Sequence, residues 1–455
     1  MIEREISPLD GRYRRQLSEL PKYFSEFALM RARCEVELSY LKALDRAGVF
    51  SALTGEEMKR IDRTLAAFSD EDFARIAAVD LKINHDVKAC ELFLQEKLAL
   101  SQPNMIHFGL TSADVNNLAF ALLLKRYRDD VQLPLMRRLI EKLVDQVQMW
   151  KEIAFPARTH GQPASPTTLG KELAVFLSRL VRQTTQLEGH RFRGKMTGAT
   201  GTYAAVAVAF PAVDWIDFSA EFVMALGLEP NGCTTQIEDH DSLAEYFAIV
   251  SRINCILSDL DRDAWQYISH GDLIERAVDS EVGSSTMPHK VNPIRFENSE
   301  GNVVIANALL HALSDKLTQS RMQRDLSDST VKRNIGVALA HSYLVMAQTL
   351  RGLDRIDADE GELRNKVDQN PEVLTEGYQT ILRAAGIENP YEMFRQFARG
   401  ETFALDRLHE FVQRLDIPDD IKCRMLALRP TDYTGLASRI CEEVVTQAQR
   451  WLRDG

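Results

Sequence analysis

Between residues 112 and 353 apolar side chains recur at three- and four-residue spacing, the period of a helix with one buried face. The clearest stripe runs through Leu135, Met136, Leu139, Ile140, Leu143, Val144 and Val147. Upstream, Leu118, Leu122 and Leu123 carry a similar stripe from Asp114, read as an N-cap, and Pro134 is expected to kink the helix between the two stretches. Further stripes run over 169–187, 243–268, 303–313 and 335–353, and no convincing series of alternating strands interrupts them. Each stripe must find an apolar partner, so the pattern predicts an all-α fold built on a long central helix bundle. Some stripes exceed what one bundle layer needs, which predicts that helices of other subunits cover the surplus. Polar, turn-forming sequence at 101–104 and an acidic stretch at 354–362 divide the chain into three parts, 1–104, 105–356 and 357–455. The last is punctuated by Pro371, Gly386, Pro390, Gly400, Pro418 and Pro430.

Composition narrows the class. The 455 residues include 55 Lys and Arg against 66 Asp and Glu, a formal charge of −11, with 45% hydrophobic and 27% charged residues. An acidic balance argues against nucleic-acid partners, whose binding depends on basic patches that release counterions. The six cysteines form no C-x-x-C pair and no H-E-x-x-H occurs, so neither a zinc site nor a disulfide framework is indicated. The stretch 303–313, the longest apolar one, contains Asn307 and His311 and falls well short of the roughly 18 residues a membrane span needs. No membrane association and a cytoplasmic location follow as expectations.

The chemistry lies in polar segments between the helices. Gly283-Ser284-Ser285-Thr286-Met287-Pro288-His289-Lys290-Val291-Asn292-Pro293 joins hydroxyls, backbone freedom and a cation. It reads either as a turn capping the next helix or as a loop whose N–H groups and Lys290 hold an anion and lower the pKa of a serine. Thr159-His160-Gly161-Gln162-Pro163-Ala164 sets one histidine ahead of a helix beginning near Thr168, either a structural residue or a general acid or base. In the segment 324–334, Arg324 and Arg333 frame Ser329, either as a solvated charge run or as a pair of bidentate anion contacts. Ser7-Pro8-Leu9-Asp10-Gly11-Arg12-Tyr13 is a turn presenting an arginine and a ring, while Asn84-His85-Asp86 and Thr111-Ser112 stand at helix starts. The glycines of Gly198-Ala199-Thr200-Gly201-Thr202 lack the spacing and the lysine of a nucleotide loop.

In this order, over residues 6–350, these segments resemble the fumarase/aspartase superfamily, and within it the adenylosuccinate lyase branch. Residues 111–117, 198–202 and 283–293 look like the regions shared across the superfamily. Residues 7–13, 84–88, 159–164, 234–238 and 324–334 narrow the choice to the branch. In Asp239-His240-Asp241 an aspartate stands where the resemblance implies proline. The resemblance implies a three-part helical fold whose central helices form a tetrameric core. It also implies elimination of fumarate from adenylosuccinate, giving AMP, and from succinyl-aminoimidazole-carboxamide ribotide (SAICAR), giving AICAR, in purine nucleotide biosynthesis. His160 would be the acid and Ser284 the base, with Ser285 the neighbouring candidate. Lys290 and Asn292 would hold the carboxylate that becomes doubly charged, and His85, with Asn84 and Asp86, would contact a carboxylate or the phosphate. Thr111, Ser112, Gln236 and Ser329 would hydrogen-bond the substrate, with Arg12, Tyr13, Arg324 and Arg333 completing the contacts. No metal or organic cofactor is implied, and the site would draw on three subunits of a homotetramer. The alternatives are another fumarate-releasing lyase, such as argininosuccinate lyase, and a catalytically silent helical scaffold.

Overall fold

In the computed structural model, which describes residues 5–277, 287, 290–397 and 404–454, the apolar stripes become helices. In chain order the ones that matter below are α1 (Glu26–Arg46), α2 (Asp70–Ile83), α3 (Asp86–Leu98), α4 (Ser112–Tyr127), α5 (Leu133–Trp150), α6 (Leu169–Gly189), α7 (Asp241–Ser269), α8 (Ile294–Leu317), α9 (Ser327–Lys332), α10 (Ile335–Leu353) and α11 (Glu360–Asp368). Among the described residues, extended structure is limited to two-stranded pairs of two or three residues per strand. Two of them bear on the site: β1 (Arg158–Thr159) with β2 (Gln162–Pro163), and β3 (Leu273–Glu275) with β4 (Ile356–Ala358).

Just ahead of Pro134 the helical hydrogen bonding changes its pattern. Residues Arg128–Gln132 form a π-helical turn between α4 and α5, in which the Leu133 N–H reaches back to the Arg128 carbonyl. Proline has no N–H for the carbonyl four residues earlier, and the widened turn accommodates that missing bond. Asp114, read from the sequence as the N-cap of α4, is not its cap. Thr111 is the cap and Asp114 sits three residues on, accepting the Thr111 N–H at 2.8 Å.

Two compact units organise the contacts. The first comprises Met1–Leu135, Gln186–Asn254 and Gly301–Val345, the second Met136–Thr185, Cys255–Glu300 and Met346–Gly455. In the first, α1 lies along α4, burying Leu38, Leu41 and Leu44 with Leu118 and Leu122. Each fully buried leucine contributes about 1.5–3 kcal/mol. In the second, Leu139, Ile140 and Leu143 of α5 and Leu173, Leu177 and Leu180 of α6 are buried. There too, Leu374, Tyr378, Leu382, Phe394, Leu408, Val412 and Met425 form a separate apolar cluster near the C-terminus. All six cysteines are free, and no helix among the described residues is long and apolar enough to cross a membrane.

Candidate active site

The first unit holds an open cleft of about 1610 Å³ lined by nine of the residues singled out in the sequence: Asn84, His85, Asp86, Thr111, Ser112, Gln236, Arg324, Ser329 and Arg333. The α2–α3 junction forms one wall. Asn84 ends α2 in the left-handed region (φ 52°), its N–H donating to the Asp80 carbonyl at 2.7 Å, and the resulting turn makes His85 the cap of α3. The Lys88 N–H donates to His85 Nδ1 at 3.1 Å. That bond needs a lone pair on Nδ1, so the neutral ring carries its proton on Nε2. Beside it Asp86 accepts from Arg33 Nη2 at 2.7 Å and from the Val87 N–H at 2.8 Å, with Arg333 Nη2 at 3.7 Å. Burial opposes ionisation of Asp86, but Arg33, the Val87 N–H and Arg333 outweigh it and hold the carboxyl below its ordinary range.

The start of α4 forms a second wall. The buried Thr111 hydroxyl has no hydrogen-bond partner among the described residues and stands at the N-terminus of a helix, a position suited to an anion. Its backbone is fixed from below by Asp114, which is wholly buried and ion-paired at 2.8 Å with the wholly buried Lys195. Asp114 also accepts the Thr197 and Gly198 N–H groups at 3.1 and 3.3 Å, and Asn117 exchanges two bonds with the Lys195 backbone. The 195–201 segment is thereby clamped to α4. Gly201 (φ +76°) passes so close to the next strand of chain that a Cβ would stand 1.9 Å from the Thr234 carbonyl oxygen, and only glycine fits. Two residues beyond Thr234, Gln236 Nε2 donates to the Ala199 carbonyl at 3.0 Å, which sets its side chain at the cleft.

The third wall is α9 and the residues before it. Ser329 and Arg333 lie four residues apart and so face the same way. Arg333 Nη1 donates to Glu26 at 2.8 Å, whereas Arg324 has no ion-pair partner among the described residues. Behind this wall is a smaller cavity of about 470 Å³ that shares Arg324, Ser329 and Arg333 with the cleft and is also lined by Asp328, Lys332, His240 and Glu238. Lys332 is buried, 2.6 Å from Asp328 and 3.3 Å from His240 Nε2. Burial pushes the Lys332 amine down against the pull of Asp328. Burial and then Lys332 push His240 down to about 3, so it stays neutral. Glu238 is pushed up to about 7 by burial, despite donation from Asn231, with Asp239 beside it raising it further. The segment 324–334 is therefore not a solvated charge run, since Asp328 and Lys332 are both buried.

The remaining candidates lie elsewhere. Arg12 is exposed and Tyr13 half-buried in the N-terminal turns, and neither is among the described residues lining the cleft. His160 is exposed in the second unit at the tip of the β1–β2 hairpin, with Gly161 after it. Both have positive φ, 53° and 76°, the pairing of a type I′ turn. Lys290 is exposed, its N–H donating to the Met287 carbonyl at 3.0 Å, and Asn292 is half-buried ahead of α8. Ser284 and Ser285 lie outside the described residues. Among the described residues no group of three or more His, Cys, Asp or Glu is arranged to hold a metal ion.

Comparison with known proteins gives this cleft its context. A lyase family matches residues 11–308, and an adenylosuccinate lyase C-terminal family matches residues 320–434. A protein of Escherichia coli (strain K12) named adenylosuccinate lyase is 43% identical over 447 residues, covering 96% of this chain and 98% of that protein. The chain belongs to the adenylosuccinate lyase family. Proteins of the same name from Haemophilus influenzae and Vibrio cholerae are 43% and 42% identical, each covering 96% of this chain and 98% of their own length. Among solved structures, a 3-carboxy-cis,cis-muconate lactonizing enzyme from Pseudomonas putida superposes with a TM-score of 0.78 at 21% identity, over 95% of this chain and 97% of that one. A fumarate lyase from Mesorhizobium sp. BNC1 gives 0.78 at 17% identity, over 94% and 97%. These likenesses are of fold, and they agree with the mostly helical architecture.

Within this adenylosuccinate lyase family member the cleft also contains groups the sequence reading did not single out. His107 lines it in the left-handed region (φ 59°), with Nδ1 2.5 Å from Glu37 Oε1 and its N–H on Glu37 Oε2 at 3.2 Å. Burial disfavours the charged ring, but the buried Glu37 outweighs it and raises the pKa of His107. Its proximity to Thr111 in sequence was a usable signal, whereas its carboxylate partner 70 residues earlier was not. Arg33 and Lys195 were invisible for the same reason: each acts through a partner brought to it by packing.

Proposed function

We propose that this chain eliminates fumarate from adenylosuccinate, giving AMP, and from SAICAR, giving AICAR, as a carbon–nitrogen lyase of purine nucleotide biosynthesis. The observation that carries this reading, beside family membership, is the cation-rich cleft. Arg324, Arg333 and His107, whose pKa Glu37 raises, stand among the hydroxyls of Thr111, Ser112 and Ser329 and the amides of Asn84 and Gln236. That set suits a ligand with two carboxylates and one phosphate.

In the proposed mechanism Ser284 Oγ, as its alkoxide, removes the proton from the carbon next to a carboxylate. The electron pair moves into that carboxylate, which becomes doubly charged and is held by Lys290 with Asn292. Stabilising that charge is the largest single requirement of the reaction. The pair then forms the double bond of fumarate as the C–N bond breaks, and His160 gives its proton to the departing nitrogen. His85, with its proton on Nε2, Asn84, Asp86, Ser285, Arg12 and Tyr13 complete the binding contacts. The site is shared among three subunits of a homotetramer. Supporting this, Met149, Val175, Trp265, Val304 and Ile305 leave apolar surface exposed along the long helices, as subunit interfaces require.

Incubation of the purified protein with adenylosuccinate, SAICAR and argininosuccinate, following fumarate release, tests the reading. Release from the first two alone is expected. Release from argininosuccinate, or from none of the three, refutes it.

A further inference from the structure

The hairpin that carries His160 is too small to hold its own shape. Each strand contributes two residues, paired as Arg158 with Pro163 and Thr159 with Gln162, and both strands are exposed. An isolated two-stranded hairpin even of ordinary length is marginal in water. Its geometry must therefore be imposed at its base, where the second unit supplies a specific anchor. Arg158 Nη1 donates to Asp272 Oδ2 at 3.1 Å, and the Asp272 side chain is wholly buried. On its other oxygen Asp272 accepts from Lys366 Nζ of α11 at 3.0 Å, and Lys366 also donates to the His270 carbonyl at 2.8 Å. The Asp272 backbone is fixed as well, its N–H on the Tyr267 carbonyl at 2.7 Å at the end of α7, and β3 begins at the next residue.

We infer that Asp272 is a positioning residue for the proton donor: through Arg158 it fixes the base of the hairpin whose tip is His160, and through Lys366 it refers that position to the C-terminal part of the chain. This rests on the reading of His160 as the acid. Two cations on one buried carboxylate are more than neutralisation requires, and Lys366 alone would satisfy the charge. The Arg158 side chain is about a third exposed, at 31%, so water could satisfy it too. What the second ion pair adds is direction, since a guanidinium donates along fixed axes to a carboxylate that cannot move. Two further contacts hold the strand after the hairpin. The Ala164 N–H donates to the Ala157 carbonyl at 2.9 Å, and the Ser165 hydroxyl meets Glu376, which also accepts from the Tyr433 hydroxyl at 3.1 Å. Lys366, Glu376 and Tyr433 all follow residue 357, which gives the C-terminal part a role in catalysis that its lack of motifs conceals.

The test uses the full-length protein and compares Asp272→Asn, Arg158→Ala, Arg158→Lys, His160→Ala and the doubles with His160→Ala, reading kcat, KM and thermal unfolding. Misplacing a reacting group by about 1 Å lowers turnover by about 10²-fold. Asp272→Asn is therefore expected to lower kcat by roughly that factor while KM changes less than about threefold. Arg158→Ala leaves Asp272 paired with Lys366, so it folds even where Asp272→Asn does not, and it should show the same kcat loss, partly restored in Arg158→Lys. In the His160→Ala background both substitutions should add nothing, because a residue acting through His160 has nothing left to position. Additive losses, or wild-type kcat in Arg158→Ala, overturn the inference while the acid assignment stands. Near wild-type turnover in His160→Ala overturns both.

Discussion

Asp114→Asn isolates the buried charge pair beneath the cleft. The replacement keeps the shape and one carbonyl oxygen to accept from Thr197 and Gly198, but its amide nitrogen then faces the Thr111 N–H, and Lys195 stays wholly buried without the carboxylate it pairs with. The other acceptor for its amine is the Gly198 carbonyl at 3.1 Å. Breaking one partner of a buried pair destabilises by about 3–5 kcal/mol. An independent bound comes from titration, because Lys195 can release its proton instead of remaining charged. From an ordinary lysine value of about 10.4, doing so at pH 7 costs about 4.6 kcal/mol, and at pH 9 about 1.9 kcal/mol. The sign is fixed by linkage. Burial already pushes the Lys195 amine down against the pull of Asp114, and without Asp114 it falls further, so the unfolded chain binds the extra proton and stability rises with pH. Urea unfolding followed by circular dichroism, at one protein concentration, should give a deficit near 4 kcal/mol at pH 7 that roughly halves at pH 9. Asp114→Asn combined with Lys195→Met should recover most of it, since no charge is then left unpaired. A deficit below about 1 kcal/mol, or one equal at both pH values, refutes the argument.

His160→Ala and Ser284→Ala should each lower kcat by about 10²–10⁴-fold or more without dissociating the oligomer, and mixing the two inactive proteins should restore partial activity. Failure of verified mixed assemblies to recover would count against shared sites. Arg324→Ala, which removes a cation with no ion-pair partner among the described residues, should raise KM for adenylosuccinate by roughly 10- to 150-fold. An unchanged KM would take Arg324 out of the binding set. Glu238, raised by burial to about 7, contributes stability that is present below the ordinary glutamate value and lost as pH rises through 7. Wild type should therefore lose stability relative to Glu238→Gln between pH 5 and pH 8, on the order of 3 kcal/mol. Neutral His240, depressed to about 3, has the opposite slope, but it is common to both proteins and drops out of the difference.

The helices were legible because an apolar stripe is a local property. Residues 135–147 and 335–353 announce their faces within a few turns, and the helices found there follow those stripes. Ends and irregularities were less legible. Asp114 carries the side chain of a cap but sits three residues inside the helix, where its carboxylate serves Thr111, Thr197, Gly198 and Lys195 at once. Pro134 signals a missing hydrogen bond but not how the backbone absorbs it, which is by a π-helical turn over Arg128–Gln132. In the cleft, residues at helix starts and in the 324–333 segment could be picked out by type and spacing. Their supporting shell could not, since Arg33 with Asp86, Glu37 with His107 and Asp114 with Lys195 are each joined across more than 50 residues.

The same long-range pairing decides what the chain's charge of −11 means at the cleft. Three acidic residues line it, Asp80, Asp86 and Glu91, which taken alone would repel a ligand bearing two carboxylates and a phosphate. Asp86, however, is bound by Arg33 from behind the wall, and Glu91 by Lys88 at 2.7 Å. Glu37, although it does not line the cleft, pairs with His107 and raises the pKa of its ring against burial, which favours the charged form at the cleft. Arg333 meets Glu26 through Nη1 at 2.8 Å and lies 3.7 Å from Asp86 through Nη2, so two carboxylates share its guanidinium. Arg324 has no ion-pair partner among the described residues at all. Two of the three lining carboxylates are thus held by basic partners, Asp80 has no ion pair among the described residues, and Arg324 is a cation left open to a ligand. Global charge governs which polyanions the surface attracts, while a site enclosed by protein answers to the pairs within about one Debye length, roughly 8 Å at physiological salt. An acidic protein can therefore bind a phosphorylated dicarboxylate, provided its carboxylates are committed before the ligand arrives.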